Sequence, residues 1–394
     1  MSRDASPATI IGFVNAAHFI DHMLMLVFAT AVLGMTEPFG RSYAEMLPLS
    51  IGAFVAFGAG SIPAGWLGDL WSRRNMMAVF FIGIGLSAIA TSFSNGPVEL
   101  AVCLTAIGLF ASIYHPVGTA VLVSQAEKVG RSLGLNGVFG NLGVAFAALI
   151  TGALVQWLGW RIAFLVPGAI AVQIGLLFIW LVPDTGSIRK PQASQGAAVP
   201  QSVMIRAFAV LMVATAVGGL VFNAATVSLP KLLQERAGFL GTTPMLIGLM
   251  ASLIYMFGAV AQLIVGRLLD RMPLKTVYVP LSALQAPCLL FAAMTEDWLV
   301  VSLTMLIMFA IFGQVTVNDT MVARYTRDQW RARAYAVRYF VSFGASALAV
   351  PLIALLHGRF GNLTATYQVL AALGLIIFLG SLAFPLRREE LVSR

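Results

Sequence analysis

Apolar runs of 18 or more residues fill almost the whole of this 394-residue chain. Each can cross the roughly 30 Å hydrocarbon layer of a bilayer as a helix. Inside hydrocarbon a segment must satisfy its own backbone hydrogen bonds, so helix is the form these runs take. Only 10% of the residues are charged and 59% are hydrophobic, whereas a water-facing surface needs about 25% charged residues. The composition therefore excludes an ordinary water-soluble domain. The formal net charge of +8 sits in short gaps between the runs, as topology signals do, and no nucleic-acid partner is expected. Cys103 and Cys288 both fall within apolar runs, so a disulfide framework is not expected. The first run starts near Ile10 and carries His18, Asp21 and His22. It is too long and too polar for a cleaved signal segment and reads as a retained first helix.

The pattern predicts twelve spans, at residues 10–33, 47–68, 75–94, 98–123, 132–156, 161–182, 203–231, 245–269, 275–294, 298–323, 334–356 and 364–385. A stretch rich in Pro, Ser, Gln and Gly divides them into an N-terminal half (1–182), a linker (183–202) and a C-terminal half (203–394). With both ends on one side of the membrane, that side holds 18 Lys and Arg residues at or near the span ends and the other holds five, while Arg338 falls inside the eleventh span. The positive-inside rule then puts both termini in the cytoplasm of a multi-pass protein of the cell (inner) membrane.

The halves repeat each other. Gly65, Leu67 and Asp69, followed by Arg73 and Arg74, recur 201 residues on as Gly266, Leu268 and Asp270, followed by Arg271 and Lys275. Both copies lie in a short polar gap between long apolar runs. At an offset of 202, Arg131 meets Arg333, Asp21 meets Asn223 and Asn136 meets Arg338. The equal orientation of the halves implies parallel repeats related by an axis along the membrane normal, which is a transporter plan.

These motifs resemble the major facilitator superfamily over essentially the whole chain. Its loop pattern, roughly G-x-L-a-D-r-x-G-r-k, is matched at Gly65, Leu67, Asp69, Arg73 and Arg74, with Leu70 and Ser72 in place of the family's Arg and Gly. The resemblance implies an all-α membrane protein of twelve transmembrane helices, in two parallel six-helix repeats around a central cavity. It also implies that Asp69 and Asp270, with Gly65, Gly266, Arg73, Arg74 and Arg271, form gating loops that latch the halves in one state of an alternating-access cycle. A narrower likeness, to fosmidomycin-resistance-type efflux proteins, rests on Tyr114-His115-Pro116-Val117-Gly118 and Gly140-Asn141-Leu142-Gly143. The Gly-Pro pair common in the fifth helix of drug antiporters is absent: Gly143, Ala147, Ala148, Thr151 and Gly152 occupy that stretch.

A charged group at mid-bilayer costs about 2.5–3.5 kcal/mol on insertion scales, so it should face a cavity or a partner. Of 16 acidic residues, only Asp21 and Asp319 fall well within predicted spans. His18, Asp21, His22 and Met25 share one helical face. The cavity-lining first, fourth, seventh and tenth helices of the resembled family would here carry that stripe, His115, Asn223, and Gln314, Asn318 and Asp319. The functional reading assigns proton coupling to Asp21, His18, His22 and Asp319. It assigns substrate binding to His115, Asn223, Gln314, Asn318 and Arg338. The bland reading is a set of mutually bonded polar residues that stiffen the helices. Arg338 could bind an anionic substrate, pair with Asp319 or snorkel to the interface. Pro116 should kink the fourth span, His357 should be interfacial, and Gly137, Gly140 and Gly143 suit close helix packing. His18, His22, Met23 and Met25 also admit a transition-metal reading, but Met23 points off the histidine face and no metal site is assigned.

No phosphate-cradling loop, metal-binding cysteine pair or nucleophile elbow occurs. The chain is therefore expected to be no enzyme, to need no cofactor and to act as a monomer. The expected function is proton-coupled secondary transport of a small organic solute, in the efflux direction. The alternative is proton-coupled import of a small anion, and behind it transport of a transition metal.

Overall fold

A computed structural model describes residues 5–127, 129–183, 201–241, 243–326 and 328–385, and every regular element among them is helical. Among the described residues, twelve helices are long and apolar enough to cross a membrane. They are α1 (Pro7–Gly34), α2 (Tyr43–Gly68), α3 (Arg73–Ser92), α4 (Pro97–Gln125), α5 (Ser132–Leu158) and α6 (Trp160–Leu181), then α7 (Ser202–Arg236), α8 (Pro244–Arg271), α9 (Leu274–Ala292), α10 (Asp297–Tyr325), α11 (Val337–Phe360) and α12 (Thr364–Ala383). Most of the expected linker, at 184–200, lies outside the described residues.

Differences from the expected spans have local causes. α2 starts four residues early because Ser42 and Glu45 form a capping box: Glu45 N–H donates to Ser42 Oγ at 3.3 Å and Ser42 N–H to the Glu45 carboxylate at 2.8 Å. α7 runs on to Arg236 through Pro230, as membrane helices can when neighbours re-satisfy the freed backbone. In α4 the proline expected to kink the helix instead sits in a π turn, Tyr114–Gly118. Pro116 has no N–H to give the preceding turn, so the ladder loosens there and re-forms beyond it.

The chain divides into two compact units, one of Met1–Pro191 with Thr242–Ser252, the other of Gln192–Gly241 with Leu253–Arg394. In the first, α1 packs on α5 and α3 on α6 through small residues. A Cβ on Gly85 would come within 2.7 Å of the Gly168 carbonyl oxygen, and one on Gly168 within 2.8 Å of the Gly85 carbonyl oxygen. Neither helix could keep its place with an alanine there. This unit also takes in the first turns of α8, where Gly248 lies against the Ala148 carbonyl. The core of the second unit is built from Leu211, Tyr278, Leu281, Val317, Met321 and Phe384.

In both units a basic residue closes a helix end. Arg74 donates from Nε to Val182 O and from Nη2 to Ile179 O, each at 2.7 Å, at the C-terminus of α6. Lys275, its repeat partner, donates from Nζ to Leu382 O at 2.7 Å at the end of α12, where Arg206 also donates to Ala383 O at 2.6 Å. The last carbonyls of a helix have no intrahelical donor, and a cation there also suits the helix dipole. Arg271, by contrast, is exposed at the end of α8. Replacing Arg74 by Ala should therefore cost about 1–3 kcal/mol through the stranded carbonyls and lower the melting temperature in detergent, while Arg271→Ala should leave it unchanged.

Candidate functional site

The first unit gathers the polar stripe of α1 around the π turn of α4. His18 and His22 lie one turn apart, with their Nε2 atoms 3.1 Å from each other. His115 enters from α4: its ring stands edge-on to both, at centroid distances of 5.5 Å, and edge-on to Phe57 at 5.7 Å. One ring nitrogen from each of the three histidines lies within 4.8 Å of the other two. Asp21 completes the group, with Oδ2 3.6 Å from His115 Nε2. Its side chain is 0% exposed, and among the described residues neither carboxyl oxygen has a hydrogen-bond partner. The histidines are half-buried, and 18% of the His115 side chain reaches the surface.

An outer layer orients His18. Its Nδ1 lies 2.7 Å from the Asn136 carbonyl oxygen. A carbonyl only accepts, so Nδ1 carries the proton and the Nε2 lone pair faces the cluster. Asn136 itself is fixed from two sides: its Nδ2 donates to Asn15 Oδ1 and its Oδ1 accepts from Tyr114 OH, both at 3.0 Å. Tyr114 stacks on the His18 ring with centroids 4.8 Å apart. A Cβ on Gly140 would sit 2.5–2.8 Å from three atoms of that ring, so the imidazole lies flat against a glycine that makes room for it. Gly143 serves the same packing at the Phe19 carbonyl, whereas Gly137 faces open space. Gly137 thus departs from the expectation that the whole glycine series mediates close approach.

The second unit disposes of its polar residues differently. Arg338 Nη1 donates to Asp319 Oδ1. Only 8% of the Arg338 side chain is exposed and its guanidinium lies 5.2 Å from the Tyr339 ring. It does not snorkel; it is an ion-paired cation packed against an aromatic ring. Asn223 donates to Ser346 O at 2.7 Å, and Gln314 donates to Gln285 Oε1 at 2.5 Å. Asn318 is buried, and its Oδ1 has no hydrogen-bond partner among the described residues. His357 is buried, its Nε2 2.8 Å from Glu235 Oε1, while Glu235 Oε2 accepts from Leu363 N–H at 3.0 Å.

Of the expected gating residues, Gly65 faces Pro116 across α2 and α4, where a Cβ would approach Pro116 Cβ to 3.2 Å; Gly266 has ordinary space, 3.9 Å from Thr316. The Asp69 side chain lies outside the described residues. Asp270 and Arg271 are exposed. The bonds of Arg74 that define its place are those to α6, inside its own unit.

Sequence reasoning found the four ionisable members of the cluster, yet passed over Asn15 and gave Tyr114 and Asn136 no role in it. Asn15 lies three residues before His18 on the same helical face, which is the signal that could have found it.

Comparison with known proteins is consistent across sequence and structure. The sequence model of the Major Facilitator Superfamily matches residues 14–313 and 211–393. Among curated proteins, the puromycin resistance protein of Streptomyces alboniger is 28% identical over 110 residues, covering 27% of this chain and 22% of that protein. The tetracenomycin C resistance and export protein of Streptomyces glaucescens is 25% identical over 150 residues, covering 36% and 28%. The 4-hydroxybenzoate transporter of Pseudomonas aeruginosa is 24% identical over 146 residues, covering 36% and 32%. The chain thus spans about a fifth to a third of the length of these relatives. A solved structure of a bacterial homologue of the human lysosomal transporter Spinster superposes with a TM-score of 0.77 at 13% identity, over 96% of this chain and 97% of that one.

The packing of His18 gives a direct check on the site. Gly140→Ala should push the ring off the cluster and cost about 1–3 kcal/mol of overpacking, read as a lower melting temperature. Gly137→Ala should leave the melting temperature the same or higher.

Proposed function

The chain belongs to the major facilitator superfamily, and from that premise we propose that it is a proton-coupled secondary transporter of a small organic solute. It works by alternating access, in the efflux direction, in the cell (inner) membrane with both termini in the cytoplasm. The observation that carries the proton coupling is Asp21. A carboxyl group wholly buried, with no fixed donor on either oxygen and an imidazole 3.6 Å away, has nothing that locks it into one charge state. Adding or removing a proton there changes the net charge of a desolvated site, and that change is costly enough to bias one conformation over another. His115 is the nearest basic group to share the proton, and His18 and His22 extend the chain of imidazoles.

The resistance and export proteins among its relatives support the efflux direction. The likeness to fosmidomycin-resistance-type efflux proteins rests on Tyr114–Gly118 and Gly140–Gly143, the two segments that position His115 and cradle His18. Asp69 and Asp270 act as latches at the cytoplasmic ends of α2 and α8. Asp319 answers protonation in the second unit by loosening its hold on Arg338. The alternative, import of a small anion, draws on the same pair: a substrate carboxylate would replace Asp319 on the guanidinium, as a relative that transports 4-hydroxybenzoate suggests.

Purified protein in liposomes under an imposed pH gradient tests the assignment, with puromycin and 4-hydroxybenzoate as probe solutes. The wild type should accumulate a probe against its gradient with accompanying proton flux. Asp21→Asn should lose that accumulation by about tenfold or more, while keeping its melting temperature and solute exchange at equal pH; one pKa unit of lost coupling is already a factor of ten. Undiminished gradient-driven accumulation in Asp21→Asn removes the role given to that residue.

A further inference from the structure

We propose that His18, His22 and His115, with Asp21, bind one divalent transition-metal ion of the zinc, cobalt or nickel type. Three of the chain's four histidines meet in this cluster, although two come from α1 and one from α4. A tetrahedral ion with bonds of about 2.0–2.1 Å has ligand atoms about 3.3 Å apart. Two edges already have nearly that length: His18 Nε2 to His22 Nε2 at 3.1 Å, and His115 Nε2 to Asp21 Oδ2 at 3.6 Å. The longest separation among the ring nitrogens is 4.8 Å, and closing it is a side-chain movement of about 1.5 Å towards that edge.

The second layer has the form metal sites need. A ligating imidazole is oriented by a bond from its other nitrogen, usually to a carbonyl or carboxylate. His18 has this bond, Nδ1 to Asn136 O at 2.7 Å, and the Asn15–Asn136–Tyr114 network holds the carbonyl in place. Asp21 lies beside the three-histidine group rather than within it, its Oδ2 3.6 Å from His115 Nε2, and with neither oxygen hydrogen-bonded among the described residues it can turn in as the anionic ligand. Partial exposure of His115 gives an entry path. Imidazole and carboxylate with no thiolate suit Zn²⁺, Co²⁺, Ni²⁺ or Cu²⁺ more than Cu⁺.

Such an ion would occupy the lone pairs and carboxyl oxygen proposed to exchange protons, and would tie α1 to α4. Micromolar zinc should therefore block proton-driven transport. That consequence rests on the proton-coupling reading; the binding does not.

The test uses the full chain, purified with any histidine tag removed and stripped with chelator. Titration with Co²⁺ should give the visible absorption of a tetrahedral nitrogen–oxygen site, saturating at one ion per chain and displaced by Zn²⁺. His22→Gln and His115→Gln should each weaken binding by about tenfold or more, the scale of lost metal-site contacts, whereas His357→Gln, which removes the remaining histidine, should not. X-ray absorption of the zinc-loaded wild type needs no variant and should show at least two imidazoles on the metal. No cobalt band, affinity unchanged in both cluster variants, or a zinc shell without imidazole overturns the proposal. Binding is measured with no gradient applied, so a null transport result for Asp21→Asn leaves it standing. Intact proton coupling with no metal bound would reject this site alone.

Discussion

In hydrocarbon a polar group can bond only to the protein, because there is no water to receive it. The backbone meets this demand by forming helices end to end, and where the helix falters the repair can be seen. At Pro116 the ladder widens into a π turn and then resumes. At the end of α6 the stranded carbonyls of Ile179 and Val182 are taken by Arg74, and at the end of α12 that of Leu382 is taken by Lys275. The basic residues of the repeated loop thus have a structural duty inside their own units.

The same demand falls on side chains, and the units meet it in two ways. In the second unit polar groups are matched in pairs: Arg338 with Asp319, His357 with Glu235, Gln314 with Gln285. Matching a buried charge with its opposite makes the arrangement costly to break. In the first unit the matching is displaced outward. Asn15, Asn136 and Tyr114 satisfy one another and fix His18, while Asp21, wholly buried, has a histidine near but no hydrogen bond. The network is rigid around a centre that is left chemically open, which is the arrangement expected of a site that takes up and gives back a small cation.

The helical framework was legible because hydrophobicity along a membrane chain is a strong one-dimensional signal. Composition also exposed Asp21 and Asp319, since a carboxylate inside an apolar run stands out. What could not be read was partnership. Whether Arg338 reached the interface or Asp319 depended on side-chain direction across two helices, and its burial against Tyr339 decided it. His357 stood out by its place near a helix end, but its partner Glu235, 122 residues away, could not be read from that place. Gly137 and Gly140 share one motif, but only Gly140 faces a ring. The offset between repeats paired Asn136 with Arg338 and so marked both positions, without revealing that one orients an imidazole and the other neutralises an acid.

That difference bears on how a duplicated fold acquires a vectorial function. Two identical halves would carry identical charges at equivalent depths, and protonation could not distinguish one from the other. Here the position of Asp21 is occupied in the second half by Asn223, which cannot ionise and is tied to the Ser346 carbonyl. The position of Asn136 is occupied by Arg338, a permanent cation already matched by Asp319. On the proposed coupling, a proton taken up at Asp21 thus has no ionisable counterpart at Asn223. In the second half Arg338 is matched by Asp319, so a change of charge there means opening an ion pair. The proposed coupling therefore differs between the halves: an open carboxyl in the first, and in the second an ion pair that protonation would loosen.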